Sequence, residues 1–227
     1  MGEIKMVVFD MAGTTIKDQD AVHQALIKTM EKFNYSVTRS EANAVMGYPK
    51  PEAIKLLLSD KESDNALITP DFIRFLHSAF VKEMKSHYEN TVIEPTENAI
   101  ETFNNLRERG IKVCLDTGFS KDITEVILNQ LGWLSNGMVD FAISSDEVRL
   151  GRPHPYMIQA LMKKCGISNP KEVAKVGDTI ADLEEGNNAE VGLVIGVCNG
   201  AYSRNELENH AHSHLIAHLG ELPALLD

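Results

Sequence analysis

Four short stretches of the chain carry residue types suited to moving a phosphoryl group. The first is Asp10, which follows Val7-Val8-Phe9 and precedes Met11-Ala12-Gly13-Thr14-Thr15. A β-branched and aromatic run reads as a buried strand, and Gly13 ends it. Asp10 therefore falls at the carboxyl end of a strand, where open α/β sheets place their ligand crevice. A carboxylate there suits a nucleophile or a metal ligand, and the glycine with the Thr14 hydroxyl suits an anion-binding turn. The second stretch runs from Ile111 to Leu115 into Asp116-Thr117-Gly118. Thr117 and Gly118 lie at a strand end just before a helix start, where a hydroxyl and free N–H groups can hold a phosphoryl oxygen. The third is Gly151-Arg152-Pro153-His154-Pro155, whose five-donor guanidinium matches a dianionic group. The fourth is Gly177-Asp178-Thr179-Ile180-Ala181-Asp182, where two carboxylates one helical turn apart offer hard oxygen ligands for Mg²⁺. Singly, each reads as well as a capped turn or a loop charge. Together they place nucleophile, hydroxyl, cation and acidic pair in order at four strand ends.

The elements that must position these residues form an α/β pattern. Ala21 to Phe33, Pro51 to Leu58 and Pro70 to Tyr88 show helical spacing of apolar residues, with no strand signal between Thr15 and about Glu94. From Pro95 onward helices, such as Glu97 to Arg109 and Lys121 to Leu131, alternate with apolar strands at 111–115, 141–143, 173–176 and 193–197. The expected fold is a doubly wound, mostly parallel sheet (a Rossmann-like core) with an inserted all-helical cap. Its expected division is a core of residues 1–16 and 92–227 and a cap of residues 17–91, hinged near 16–20 and 88–95. Met11 is expected to line the pocket, and Trp133 to pack under a loop. The histidines at 210, 212, 214 and 218 lack the spacing of a metal cluster, and fit a strand at about 214–216 followed by a helix from His218.

The four motifs, in this order, resemble those of the haloacid dehalogenase superfamily, and the resemblance covers nearly the whole chain. Most phosphatase members carry a second Asp two positions after the nucleophile; here Ala12 stands there. Asp10-Met11-Ala12-Gly13-Thr14-Thr15 is similar to the phosphonatase (phosphonoacetaldehyde hydrolase) branch. So are Gly151-Arg152-Pro153-His154-Pro155 and the stretch from Gly177 to Ala189. The resemblance implies a Schiff-base lysine in the cap at Lys50, three residues after the Gly of Met46-Gly47. It implies Asp10 as nucleophile, with Mg²⁺ held by Asp10, the Ala12 carbonyl and Asp178, and with Asp182 serving the metal set. Thr14, Met46, Thr117, Gly118 and Arg152 would contact substrate or phosphate. Three positions depart from the branch: Ala53 replaces a His, Asp20 falls near an expected Cys, and Phe119 replaces a Tyr.

Ala12 has a chemical meaning of its own. Expelling an alkoxide from phosphorus wants a proton donor, worth roughly 10²–10⁴ in rate. A carbon leaving group needs none if an adjacent iminium absorbs its electrons, and that requires a lysine able to condense with an aldehyde. The expected function is thus a Mg²⁺-dependent hydrolase of a small phosphonate or phosphate metabolite acting through an aspartyl-phosphate. The alternative is an ester phosphatase of phosphoglycolate type with Lys50 as a binding charge. Loss of the acid argues against a mutase, and the intact Asp10 and Asp178 against a bare binding module.

Composition agrees. Lys and Arg number 22 against 33 Asp and Glu, a net charge of −11. An acidic chain without basic or aromatic stripes speaks against nucleic acid as partner. No long apolar run or signal peptide is evident, so no membrane association is expected. Cys114, Cys165 and Cys198 are odd in number and far apart, which fits a reducing cytoplasm. Homodimerisation through cap helices is implied by the resemblance.

Overall fold

The computed structural model describes residues 3–62 and 65–226. Its centre is strand β1 (Met6–Phe9), whose four residues are wholly buried. A sheet covered on both faces needs such uninterrupted apolar strands. The others are β2 (Lys112–Thr117), β3 (Phe141–Ser144), β4 (Val173–Gly177), β5 (Leu193–Val197) and β6 (His214–Ile216). They form one sheet in the order β3-β2-β1-β4-β5-β6, with every pairing parallel. The chain winds to one side of β1 and then returns to the other. The carboxyl end of β1 is therefore the switch point where such sheets bind ligands.

Between β1 and Pro95 the elements among the described residues are all helical: α1 (Ala21–Glu31), α2 (Arg39–Ala44), α3 (Lys50–Lys61), a short 3₁₀ turn and α4 (Pro70–Asn90). The core carries α5 (Ala99–Glu108), α6 (Lys121–Leu131), α7 (Tyr156–Cys165), α8 (Ile180–Asn188), α9 (Arg204–Leu207) and α10 (Leu222–Leu225). The two crossings between insert and core run side by side. Lys17 N donates to the Glu94 carbonyl at 2.9 Å and Thr96 N to the Thr15 carbonyl at 3.0 Å, with an antiparallel bridge between Ile16 and Pro95.

Helices α2 and α7 have no counterpart in the sequence reading. Helix α2 is too short to show a period, and its signal is the Thr38–Glu41 capping box. Helix α7 opens after Pro155 and closes at Gly166 with φ 70°, the usual left-handed glycine stop. Met11 does not line the pocket: it is fully buried in the core, because the turn after Asp10 folds its side chain inward. Trp133 is a packing residue, edge-on to Phe103, which in turn meets Phe9. After the 214–216 strand, His218 caps a 3₁₀ turn at Leu219–Glu221 that continues directly as α10, so the helix expected from His218 begins as a tighter turn.

Candidate active site

Asp10, Thr117, Asp178 and Asp182 all converge beyond the carboxyl ends of β1, β2 and β4. The Arg152 turn brings its guanidinium under them. Asp10 is nearly buried, and its Oδ1 accepts from Arg152 Nη1 at 2.7 Å. Burial pushes the Asp10 carboxyl up to about 6, against the pull of Arg152. Asp178 is held on both oxygens: Thr14 Oγ1 donates to Oδ1 at 2.9 Å, and Ala201 N donates to Oδ2 at 2.6 Å. Thr14 is thus a buried support for Asp178 and lies outside the cavity lining, which corrects its expected place at the substrate. Burial, with Asp10 and Asp182 alongside, drives the Asp178 carboxyl well above the usual range.

Asp182 belongs to two structures at once. As the third residue of α8 it closes a capping box with Thr179, whose hydroxyl donates to Oδ2 at 2.5 Å. Its Oδ1 lies 3.0 Å from both Arg152 Nη1 and Lys175 Nζ. Carboxylate oxygens of Asp10, Asp178 and Asp182 lie within 4.8 Å of one another. Five carboxylates are buried here (Asp10, Asp116, Asp178, Asp182, Glu185) against three buried cations (Arg152, Lys175, Lys50), an excess of two negative charges. That excess, set among hard oxygen donors, fits one divalent ion such as Mg²⁺.

Arg152 differs from the sequence expectation in its engagements. Nε donates to Glu185 Oε2 at 3.1 Å and Nη1 to Asp10. Nη2 donates to the Asp116 carboxylate and to the Asp116 carbonyl at 3.1 Å. Its donors are committed to protein acceptors, so in this arrangement it orients Asp10. Beneath it Lys175, fully buried in β4, binds Asp116, Asp182 and, at 3.2 Å, Glu185. Lys175, Asp116 and Glu185 were not singled out in the sequence. For Lys175 and Asp116 the signal is a charge inside an apolar strand run, in β4 and β2, which a buried partner must satisfy; Glu185, on α8, carries no such signal.

A cavity of about 470 Å³ opens above Asp10. Asp10, Ala12, Met46, Lys50, Thr117, Gly118, Arg152 and Asp178 all line it. Lys50 is no solvated helix-start lysine: it is 3 % exposed, and burial lowers its ammonium to about 8 although Asp10 opposes the shift. Its Nζ donates to the Tyr48 carbonyl at 3.3 Å. The loop carrying it is seated on the core. A Cβ on Gly118 would come within 2.8 Å of the Tyr48 carbonyl oxygen and 2.9 Å of that of Gly47, and one on Gly151 within 2.6 Å of Pro49 Cγ. Gly47 itself, at φ +82°, rests against the Thr179 side chain. Tyr202 Oη completes the closure by donating to the Asn43 carbonyl at 2.7 Å.

A parallel sheet with a buried aspartate at its switch point, an acidic set beside it and a helical lid above it is the architecture of a capped α/β hydrolase. The family model for haloacid dehalogenase-like hydrolases matches residues 7–196, and the chain belongs to that family of enzymes. It is 28% identical over 222 residues to a phosphonoacetaldehyde hydrolase of Bacillus cereus, an alignment covering 91% of this chain and 82% of that one. Among solved structures, a phosphonoacetaldehyde hydrolase-like protein from Oleispira antarctica superposes with a TM-score of 0.86 at 22% identity, covering 99% and 92% of the two chains. A predicted phosphoglycolate phosphatase from Haemophilus somnus superposes with a TM-score of 0.78 at 17% identity over 100% of both. Among the described residues no helix is long and apolar enough to cross a membrane.

Proposed function

We propose that this hydrolase cleaves the carbon–phosphorus bond of a small carbonyl-bearing phosphonate, of the phosphonoacetaldehyde kind, with Asp10 as nucleophile and Lys50 as the imine-forming amine. The observation that carries this reading is Lys50, drawn into the same cavity as Asp10 with its ammonium lowered to about 8. A lysine at its ordinary value is almost entirely charged at neutral pH, whereas one near 8 supplies free amine to attack a carbonyl. An iminium between Lys50 and the substrate withdraws electrons from the carbon attached to phosphorus. As an Asp10 oxygen attacks phosphorus, the C–P bond breaks, its electron pair passes to the iminium nitrogen, and an enamine forms. No proton donor is needed on the leaving carbon at that moment, which is what Ala12 requires. Water then attacks phosphorus of the aspartyl-phosphate and frees Asp10.

Thr117, Gly118 and Met46 line the cavity where the phosphono group and its carbon chain would sit, and Arg152 holds Asp10 in line. Asp10, the Ala12 carbonyl, Asp178 and Asp182 would hold Mg²⁺, which when bound offsets charge on the phosphoryl oxygens. The seated lid excludes bulk water from the imine. A reducing cytoplasmic setting, with the three cysteines free, belongs to the same reading. So does a homodimer through the lid, on which Leu67 and Phe75 are exposed.

The test is phosphate release with Mg²⁺ over a panel of phosphonates and phosphate esters, with borohydride trapping of the best phosphonate. A substrate-derived mass on Lys50, absent in Lys50→Arg, is the expected result. Ala53, an apolar side chain one helical turn from Lys50, favours a second reading, an ester phosphatase in which Lys50 is a binding charge. Turnover of esters by Lys50→Arg at the parent rate, with no adduct in the parent, would establish that reading instead.

A further inference from the structure

Condensation of a lysine with a carbonyl moves protons twice, and nothing assigned so far moves them. The ammonium must lose a proton, and the carbinolamine hydroxyl must gain one to leave as water. Ala53 and Phe119 bring no titratable group to Lys50. The lid does so from another direction.

Asp18 stands at the hinge, just before α1, and lines the cavity with Lys50. Its side chain is 18 % exposed. Oδ1 accepts from Val22 N at 3.2 Å, which pins the carboxyl at the start of α1. Oδ2 lies 3.9 Å from His23 Nδ1. The His23 ring, 4 % exposed, shares its Nε2 with Asn43 Oδ1 at 3.0 Å. Its Nδ1 has no hydrogen-bond partner among the described residues and points between Asp18 and Asp20, 3.4 Å from Asp20 Oδ1. Asp20 is neutralised by Arg39 of α2 and stays below the usual carboxylate range despite some burial. The remaining groups that face Asp18 are Lys50 of α3 and Tyr88 of α4, whose buried hydroxyl also lacks a partner among the described residues.

We propose that Asp18 is the acid–base group for the imine step at Lys50. Asp18 carboxylate takes a proton from the Lys50 ammonium, the freed amine adds to the carbonyl carbon, and one of its two protons passes from nitrogen to the new alkoxide oxygen to give the carbinolamine. The Asp18 carboxyl then returns the proton it took to the carbinolamine hydroxyl. The C–O bond breaks, water leaves, and the nitrogen lone pair closes the iminium. One ammonium and one carbonyl give one iminium and one water, and Asp18 ends as it began. Burial raises the Asp18 carboxyl, against Val22, His23 and Lys50, which brings it toward the range useful for both transfers.

This rests on the reading of Lys50 above, and the experiment separates the two. The rate of borohydride-trapped adduct on Lys50 is measured with phosphonoacetaldehyde for the parent, Asp18→Ala and Asp18→Asn. Asp18→Ala and Asp18→Asn should lower the rate roughly 10²-fold or more. Added formate should restore Asp18→Ala in a concentration-dependent way but leave Asp18→Asn, whose amide fills the site, unrestored. Trapping at the parent rate in both Asp18 variants would overturn the proposal while leaving Lys50 as the imine lysine. A loss in Asp18→Ala that formate does not restore would make Asp18 a structural hinge residue and overturn it equally. No adduct in the parent would overturn the reading of Lys50 and this step with it.

Discussion

Replacing Lys175 by Met removes the cation on which three buried carboxylates lean, and its cost can be worked from the site. Lys175 is fully buried and bonded to Asp116, Asp182 and Glu185; without it Arg152 alone faces those three and Asp10. Breaking a buried ion pair costs about 3–5 kcal/mol, because the stranded charge keeps its desolvation penalty. In a chain of this size about 1 kcal/mol moves the melting temperature by about 2–4 °C, so a fall of roughly 6–20 °C is expected near pH 8. The pH dependence has a definite sign. Burial raises Asp116, but Arg152 and Lys175 outweigh it and hold the carboxyl below its ordinary value. A carboxylate with a depressed folded pKa adds stability above its unfolded pKa, near 4, and loses it as pH falls through the folded value. In the variant Asp116 loses the Lys175 share of that pull and takes up protons at a higher pH. The deficit should therefore shrink on acidification from about pH 8 to about pH 5.5. Thermal melts of parent and Lys175→Met in metal-free buffer across that range measure it. A loss below about 1 kcal/mol at pH 8, or a deficit that stays constant with pH, would refute the reasoning.

Three further outcomes follow from the site. In EDTA the melting temperature should fall as pH rises through about 6, since Asp10, raised to about 6 chiefly by burial, and Asp178, raised further, bind protons more tightly folded than unfolded. Mg²⁺ should flatten that slope, and melts indifferent to both Mg²⁺ and chelator would count against the acidic set as its site. Asp10→Asn should cut phosphate release on the order of 10⁴-fold or more while melting no lower than the parent, because a nucleophile is lost but a buried charge is too. Gly151→Ala should lower kcat/KM about tenfold with the core intact, by pushing Pro49 off its seat; parent-level kcat/KM would show that the lid loop does not need that contact.

The sheet and its order of motifs were legible because strand runs and their terminal glycines are local signals. Val7 to Phe9 ends at Asp10 whatever the rest of the chain does. Lys50 was legible only through the spacing from Met46-Gly47, and its burial was not, since Pro51 and Glu52 equally suit an exposed helix start. What the sequence concealed was long-range pairing. Thr14 supports Asp178 across 164 residues, and the donors of Arg152 are shared among groups from β1, β2 and α8. Lys175 sat in plain view within an apolar run, but only the neighbouring β2 residue Asp116 and α8 explain why a charge is stable there. Cys114 and Cys165, far apart in sequence, lie with their sulfurs 3.6 Å apart for the same reason: helix α7 packs back over β2.

The loop from Gly47 to Pro49 rests directly on Gly118, Gly151 and Thr179, with no side chain interposed at the two glycines. A seat of that closeness acts as a gauge. A guest that fits beneath the lid leaves the loop free to land over the acidic set and Lys50. A guest one branch too large holds the loop off its ledge, and water enters between Lys50 and Asp10. Such a seat would make bulk at the lid a second criterion beside recognition at phosphorus. Widening the substrate range would begin by shortening the Tyr48-Pro49 step, which also carries the carbonyl that holds Lys50.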